Sequence, residues 1–284
     1  MEGNDKSFQQ FLQDDDCIIK IKLIDVVGSA PRNVGTTMYV SKSSLWGSVG
    51  GGQLEYILIK RAANMLDAGL ESDSINIPLG PEIGQCCGGR VKASLKKMSQ
   101  KTKQNALINM QYEITKLPHV YIMGAGHVGR ALAQQLEYMP VKCILIDTRV
   151  DEIEKSSAQV EKRLSAFPEI DIKNAPPGSA FVVLTHDHSL DFLLTAAALD
   201  RDDTAYIGMI GSVTKRTKFV RWCDAHHNIQ NIQNLVCPIG AKGSNDKRPS
   251  VIAAFITAEI ISELTHKNDL VKNKSRFNLR LVGN

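Results

Sequence analysis

The sequence has little that would mark a secreted or membrane protein. Its N-terminal segment is acidic and has no basic stretch followed by an apolar one, so we expect no signal peptide and a cytoplasmic location. The apolar run VIAAFITA (residues 251–258) stops at Glu259. A membrane-spanning helix needs about 18 apolar residues or more, so we expect none here and no membrane partner.

The sequence also lacks a concentrated basic surface. The formal net charge is +4, and residues 267–284 account for all of it with five basic residues and one acidic residue. A neutral body with a short basic tail does not have the phosphate-binding footprint of a nucleic-acid-binding protein. We therefore expect no nucleic-acid partner and interpret residues 267–284 as a flexible, solvated tail.

Cysteine is scarce, and its spacing matches neither a disulfide framework nor a zinc motif. The six cysteines do not repeat in pairs. Cys223, His226, His227 and Cys237 could be counted as four zinc ligands, but the chain has no paired CxxC halves and a helix interface could absorb Cys223 and His226. We set zinc aside.

Two different patterns along the chain predict an α/β protein of two domains. Residues 1–97 contain short β-rich runs and one amphipathic helix, which predict a small α+β domain. Residues 118–266 alternate apolar strands with helices, which is typical of a Rossmann-like parallel sheet covered by helices. Between them, residues 98–117 are polar and weakly periodic, and we interpret them as a linker with room for one helix.

The glycine-rich stretch GQCCGGRV (residues 84–91) places Cys86 and Cys87 side by side on a turn between strands. Adjacent Cα atoms are about 3.8 Å apart, closer than a relaxed disulfide needs, so free thiols are expected. Two further glycine-rich loops contain Arg32 and Gln53. Such loops can approach a ligand with their backbone, but ordinary turns have the same composition.

The motif GAGHVG (residues 124–129) follows an apolar strand and opens a helix, as in a dinucleotide-binding fold. Asp147 closes the next strand, 23 residues after Gly124, where such a fold places its ribose-binding acid. The same turn can hold another phosphate or no ligand. Arg149 could also tie up Asp147 in an ion pair and keep it from a ribose.

Two later strand ends carry further candidates. His186 and His188 have the spacing of a metal pair, but these polar residues could instead cap the next helix, with Ser189 as its N-cap. Lys215 lies in the first turns of a helix that follows a glycine-containing strand end, where it would favour an anion. A solvated basic helix face is the alternative.

Taken together, these motifs resemble the XdhC family of xanthine dehydrogenase accessory proteins. Seven of them occur in order within about residues 17–265: GSAPRNVGTTMYV, GSVGGGQLE, LGPEIGQCCGGRV, GAGHVGRALA, THDHSLD, YIGMIGSVTKRTKF, and CPIG followed by KRPSVIAAFITAEII. The resemblance implies a chaperone without turnover chemistry of its own. It would bind the molybdenum cofactor as cargo, protect the form sulfurated by a cysteine desulfurase, and deliver it to the molybdenum-binding subunit of xanthine dehydrogenase.

The resemblance and the anion arguments give one set of candidate cofactor-binding residues: Cys86, Cys87, Gly88, Gly89, Arg90, Arg32, Gln53, Gly124, Gly126, His127, Gly129, Asp147, His186, His188 and Lys215. Cys86 and Cys87 are also the candidate molybdenum contacts, since molybdenum accepts thiolate; they could instead carry a persulfide or only pack. NAD(P) is not expected as a cofactor.

Two other functions remain open on the residues alone. An NAD(P)-dependent oxidoreductase would use GAGHVG, with His186 or His188 as a proton donor, but would leave the two cysteines unexplained. A nucleotide-sensing module would use the same turn without catalysis. A homodimer is the base-rate expectation for assembly.

Overall fold

A computed structural model describes residues 5–81, 84, 88–226, 231–241 and 243–280. The chain divides into two compact units, Met1–Thr115 and Lys116–Asn284. The division falls at the end of the helix that occupies most of residues 98–117, so this helix belongs to the first unit.

Unit 1 is built on a five-stranded antiparallel sheet with the strand order β3-β2-β1-β5-β4. Its strands are β1 (Ile19–Val27), β2 (Thr37–Val40), β3 (Leu45–Gly47), β4 (Ser72–Pro78) and β5 (Arg90–Lys97). Its helices are α1 (Asp5–Asp14), α2 (Gly52–Ala68) and α3 (Gln100–Thr115). The small mixed domain predicted from the sequence is confirmed.

Helices cover both faces of this sheet. Met38 and Val40 of β2 join the core beneath α2, whereas Tyr39 between them packs with Phe8 of α1 and Ala106 of α3. Successive side chains of a strand point to opposite faces, so α2 lies on one face and α1 with α3 on the other. Sequence analysis did not predict α1.

A buried lysine joins α3 to the C-terminal end of α1 and to the residue that follows it. The Nζ of Lys103 donates to the carbonyl oxygen of Leu12 at 3.1 Å and to that of Asp15 at 2.6 Å. Lys103 is only 6% exposed, and a buried ammonium group needs such acceptors. These bonds and the apolar contact of Ala106 with the core around Phe8 hold α3 against unit 1.

Unit 2 is a six-stranded parallel sheet with the order β11-β10-β9-β6-β7-β8. Its strands are β6 (His119–Met123), β7 (Lys142–Asp147), β8 (Glu161–Leu164), β9 (Ala180–Val183), β10 (Tyr206–Met209) and β11 (Leu235–Val236). This is the strand order of dinucleotide-binding folds, with the topological switch point between β6 and β9. The predicted Rossmann-like domain is confirmed.

Helices cover both faces of the parallel sheet. They are α4 (His127–Leu136), α5 (Val150–Glu154), α6 (Pro168–Lys173), α7 (His188–Leu199), α8 (Val213–His226) and α9 (Pro249–Arg280). Val120 and Ile122 of β6 pack in one core with α4 and α9, while Tyr121 and Met123 pack in the other with α7 and α8. Strand alternation thus divides the core of unit 2 into two layers.

Sequence analysis missed the short elements of unit 2. β8, α5, α6 and β11 have between two and six residues each. Such lengths are too short for a period of 2 or 3.6 to be recognised. At the other extreme, α9 continues to Arg280, through most of the segment interpreted as a tail. Within the residues described, no helix is long and apolar enough to cross a membrane.

Candidate functional site

Three loops of unit 1 lie at the same end of its antiparallel sheet. They are residues 28–36 between β1 and β2, residues 48–53 from β3 into the first turn of α2, and the described residues 79–81, 84, 88 and 89 between β4 and β5; together we call them the loop cluster. A Cβ at Gly89 would lie 2.0 Å from the carbonyl oxygen of Ser29, and a Cβ at Gly50 would lie 2.5 Å from Cγ of Pro31. The three loops therefore touch backbone to backbone or backbone to ring.

The loop cluster brings together several of the predicted site residues. Arg32 and Gln53 are both exposed. A Cβ at Gly50 would lie 3.6 Å from Cγ of Arg32, and one at Gly84 would lie 4.0 Å from Cγ of Gln53. Gly88 and Gly89 belong to the third loop, Arg90 begins β5 with an exposed side chain, and Cys86 and Cys87 lie outside the described residues.

A carboxylate that sequence analysis did not select holds one of these loops. Oε2 of Glu55 accepts hydrogen bonds from Ser48 Oγ at 2.6 Å, from the N–H of Val49 at 3.1 Å and from the N–H of Gly51 at 3.0 Å. Burial opposes ionisation of Glu55, but these hydrogen bonds outweigh it and lower its pKa below the ordinary value. The signal available in the sequence is an acid in the first turn of a helix that follows a glycine run.

In unit 2, the GAGHVG motif forms the turn between β6 and α4. Gly124 has φ +127°, and a Cβ at Gly129 would lie 1.9 Å from the carbonyl oxygen of Gly124. Only glycine permits this packing of the turn against the helix. Gly126 is the N-cap of α4 without a side-chain cap hydrogen bond, and His127 is exposed at the first position of the helix.

Asp147, the predicted ribose-binding acid, is engaged within the protein. Its Oδ2 accepts the N–H of Ala125 at 2.7 Å, and the guanidinium of Arg149 donates to both carboxylate oxygens at 3.0 Å. Its side chain is 3% exposed. Burial raises the pKa of Asp147, but the hydrogen bonds from Arg149 and Ala125 dominate and lower it. The ion pair considered as an alternative is therefore present.

The two histidines after β9 are both exposed, and the helix that follows is capped differently from our prediction. Asp187, and not Ser189, is the N-cap of α7: its Oδ1 accepts the N–H of Ser189 at 2.7 Å. The prediction of Ser189 as the cap was wrong, because the helix already begins at His188. His186 lies in the loop before α7. In the described parts of the chain, no group of three or more His, Cys, Asp or Glu side chains is placed to hold a metal.

Lys215 is engaged by a buried acid. Its Nζ forms an ion pair with Oδ2 of Asp191 and donates to the carbonyl oxygen of Ile210 at 2.9 Å. Asp191 is fully buried, and its Oδ1 accepts the N–H and the hydroxyl of Thr185 at 2.9 and 2.7 Å. This network joins the loops after β9 and β10. Sequence analysis did not select Asp191, although it lies within the motif THDHSLD.

A small cavity lies at the topological switch point of unit 2. Gly124, Asp147, Thr185 and His186 are among the residues that line it. Its internal space of about 10 Å³ is room for one water molecule.

The fold and these two sites define a class of protein: a small antiparallel domain with a glycine-rich loop cluster, followed by a Rossmann domain whose acid is occupied internally. Residues 19–72 match the model of the XdhC and CoxI family, and residues 120–260 match the model of the XdhC Rossmann domain. The chain belongs to the XdhC family. This membership indicates an accessory role associated with xanthine dehydrogenase.

A solved structure is similar in fold over nearly the whole chain. It is the crystal structure of a Bacillus halodurans protein described as a xanthine dehydrogenase, with a TM-score of 0.78 and 17% sequence identity. The similarity covers 92% of this chain and 96% of that one. At this identity the likeness establishes the fold. Among curated protein sequences, no significant match is found.

Proposed function

We propose that the chain is a chaperone that binds the molybdenum cofactor, protects its sulfurated form and delivers it to the molybdenum-binding subunit of xanthine dehydrogenase. The loop cluster of unit 1 carries the proposal. It gathers Arg32, Gln53 and the glycines Gly88 and Gly89 from motifs separated in the sequence, and Cys86 and Cys87 directly precede Gly88 in the chain.

The chemistry of these residues suits that cargo. A guanidinium forms two parallel hydrogen bonds with a phosphate. Arg32 is exposed, so its guanidinium is accessible to such a group. A side-chain amide such as that of Gln53 offers both donors and an acceptor to a polar ring edge. Thiolates are soft ligands, and molybdenum accepts them. Cys86 and Cys87 are therefore the proposed contacts of the molybdenum. No turnover reaction is assigned to the chain.

The unit 2 turn argues against the alternative of an NAD(P)-dependent oxidoreductase. Asp147 is held by Arg149 and by the N–H of Ala125, so a ribose would have to displace an ion pair to reach it. The cysteine desulfurase that sulfurates the cofactor, a cytoplasmic location and a homodimer remain parts of the same proposal. Each depends on cofactor binding, which is tested first.

The direct test is retention of the cofactor by the purified chain. The protein is incubated with molybdenum cofactor released from a donor enzyme and separated from small molecules, and the retained pterin is measured by its fluorescence after oxidation. We expect near-stoichiometric pterin. NADH run in parallel should not be retained; retention of NADH without pterin would replace the chaperone by the nucleotide-binding alternative.

Variants of the loop cysteines then test their role. Cys86→Ala with Cys87→Ala should leave the fold intact and reduce pterin retention, because the thiolates contact the cargo. Cys17→Ala is the matched control, since Cys17 is a free, partly exposed cysteine in the same unit. Equal retention by the double variant and the control would show that the two cysteines are not part of the site.

A further inference from the structure

The glycine loop before α2 uses up its own backbone donors. The N–H groups of Val49 and Gly51 donate to Glu55, and the N–H of Gly50 donates to Ser48 Oγ at 3.2 Å. A glycine loop that cradles a phosphate must point free N–H groups at it. In loop 48–51 these three groups are already paired, so this loop is not itself the anion cradle.

The same loop instead supports its neighbour in the loop cluster. The backbone of Gly50 packs so closely on the ring of Pro31 that a Cβ at Gly50 would lie 2.8 Å from Cβ of Pro31 and 2.5 Å from its Cγ. Arg32 follows directly, with its Cγ 3.6 Å from the same point. An interaction that holds Gly50 in place therefore also holds Pro31 and the base of the Arg32 side chain in place.

We propose that Glu55 is a positioning residue: it holds loop 48–51 and, through the contact of Gly50 with Pro31, sets the place of Arg32 for the phosphate of the cargo. The inference rests on the proposed function, since it gives Arg32 its ligand. It goes beyond that function by assigning the order of the site to a carboxylate that does not itself touch the cargo.

The geometry separates this role from a charge role. The three hydrogen bonds to Glu55 converge on one oxygen, Oε2. The amide oxygen of a glutamine can occupy that position and accept hydrogen bonds from the same groups, although without the charge. Positioning therefore predicts that Glu55→Gln preserves the loop and Glu55→Ala does not.

The experiment compares Glu55→Ala, Glu55→Gln and the control Asp67→Ala in the full-length chain. Asp67 lies on the same helix with an exposed side chain, in a surface pair with Lys42. Amide hydrogen exchange is followed by mass spectrometry in peptides covering residues 28–36 and 48–51, and pterin affinity is measured for each variant. Thermal unfolding establishes that each variant is folded.

We expect Glu55→Ala to accelerate exchange in both peptides. It should also weaken pterin affinity by about tenfold, because a displaced Arg32 would lose about one charge-assisted hydrogen bond to the phosphate. Glu55→Gln and Asp67→Ala should stay within about threefold of the wild type in affinity. Equal losses for Glu55→Gln and Glu55→Ala would overturn the positioning role in favour of a direct action of the charge.

Two further outcomes keep this inference distinct from the proposed function. Faster exchange in residues 48–51 alone, with residues 28–36 unchanged, would overturn the link from Glu55 to Arg32. If the wild-type chain retained no pterin, the proposed function would fail, while the exchange of the two peptides would still decide whether Glu55 organises the loop cluster. Unchanged exchange in both peptides would overturn the inference in any case.

Discussion

The two units use the same device to hold a glycine-containing turn, but its electrostatics differ. In unit 1 the carboxylate of Glu55 accepts N–H groups of its loop, and its donors among the described residues are uncharged. In unit 2 Asp147 accepts the N–H of Ala125 and is neutralised by Arg149. The acid at the unit 2 turn is thus balanced in charge, whereas the loop cluster of unit 1 leaves Arg32 exposed beside it.

The GAGHVG turn of unit 2 and the glycine-rich loop before α2 in unit 1 therefore differ in the surroundings of the nearby acid. The acid beside GAGHVG has its own cation, and the glycines of that motif permit the close packing of the turn on α4. In unit 1, the acid holds its loop, and Arg32 and Gln53 beside it are exposed. In both units a glycine-rich motif marks a close approach of the backbone, and the nearby acid accepts an N–H group of the turn.

The largest expected effect comes from filling the unit 2 turn. Gly129→Ala would place a Cβ 1.9 Å from the carbonyl oxygen of Gly124, so α4 must shift against the turn. We expect a loss of about 4 kcal/mol in the free energy of unfolding, measured by denaturant titration. Gly126→Ala is the control, because nothing lies within 4 Å of its Cβ position; a similar loss there would contradict the packing role.

The second largest effect on the free energy of unfolding is expected at the buried ion pair of Lys215 with Asp191 in unit 2. Lys215→Met leaves Asp191 buried without its cation and should lower the free energy of unfolding by about 3 kcal/mol. If Asp191→Asn in the same chain restored none of that loss, the uncompensated charge would not be its cause. Denaturant titration of the single and double variants gives this comparison.

A smaller effect, which depends on pH, tests the role of Arg149. Arg149→Met removes the ion pair of Asp147 and should lower the free energy of unfolding by about 2 kcal/mol at pH 7. The folded pKa of Asp147 lies below its ordinary value of about 3.9. The stabilisation is therefore complete above about pH 4 and is lost as the pH falls through the lower, folded pKa.

The variant should consequently lose less stability than the wild type on acidification. Unfolding curves at pH 7 and at about pH 3 for both proteins measure the difference, since the second value lies below the ordinary carboxyl pKa. Parallel losses for the wild type and the variant would show that Asp147 owes its low pKa to other groups. Retention of NADH by the variant alone would show that Arg149 is what keeps a ribose from Asp147.

The smallest effect is expected at the surface of unit 1. Nζ of Lys42 lies 3.6 Å from Oδ1 of Asp67, and the two side chains are 62% and 76% exposed. Such pairs contribute about 0.5 kcal/mol or less because water and salt screen them. Lys42→Ala should leave the unfolding curve within that range; a loss near that of Lys215→Met would mean that exposure does not separate the two pairs.

Much of the fold could be predicted because apolar residues recur in the sequence at the regular spacing of strands and helices. The alternating apolar strands of residues 118–266 indicated a parallel sheet, and the glycine spacing with Asp147 indicated its first turn. Sequence analysis overlooked α1, although its buried Phe8, Phe11 and Leu12 have the i, i+3, i+4 spacing of an amphipathic helix. The cap of α7 was assigned wrongly because Asp187 and Ser189 both have side chains that cap helices.

The candidate site was predictable only in part, since residue type does not reveal a partner. Lys215 was a sound anion candidate by position, but Asp191 occupies its ammonium group. Arg32 and Gln53 were selected separately, and the fold brings their loops into contact. Glu55 was missed because its role arises from hydrogen bonds to backbone groups, which no residue pattern specifies.

The sequence by itself determined the two-unit organisation, the family and the places where glycine is needed, because periodicity and backbone sterics are local properties. The tertiary structure alone decided which charged groups remain available to a ligand. The pair of Asp147 with Arg149, two residues away, was already an alternative on the sequence, but the pairing of Lys215 with Asp191 and the loop that Glu55 holds beside the exposed Arg32 come only from the fold. Ionic and hydrogen-bond partners are set by distance in space, and folding fixes that distance.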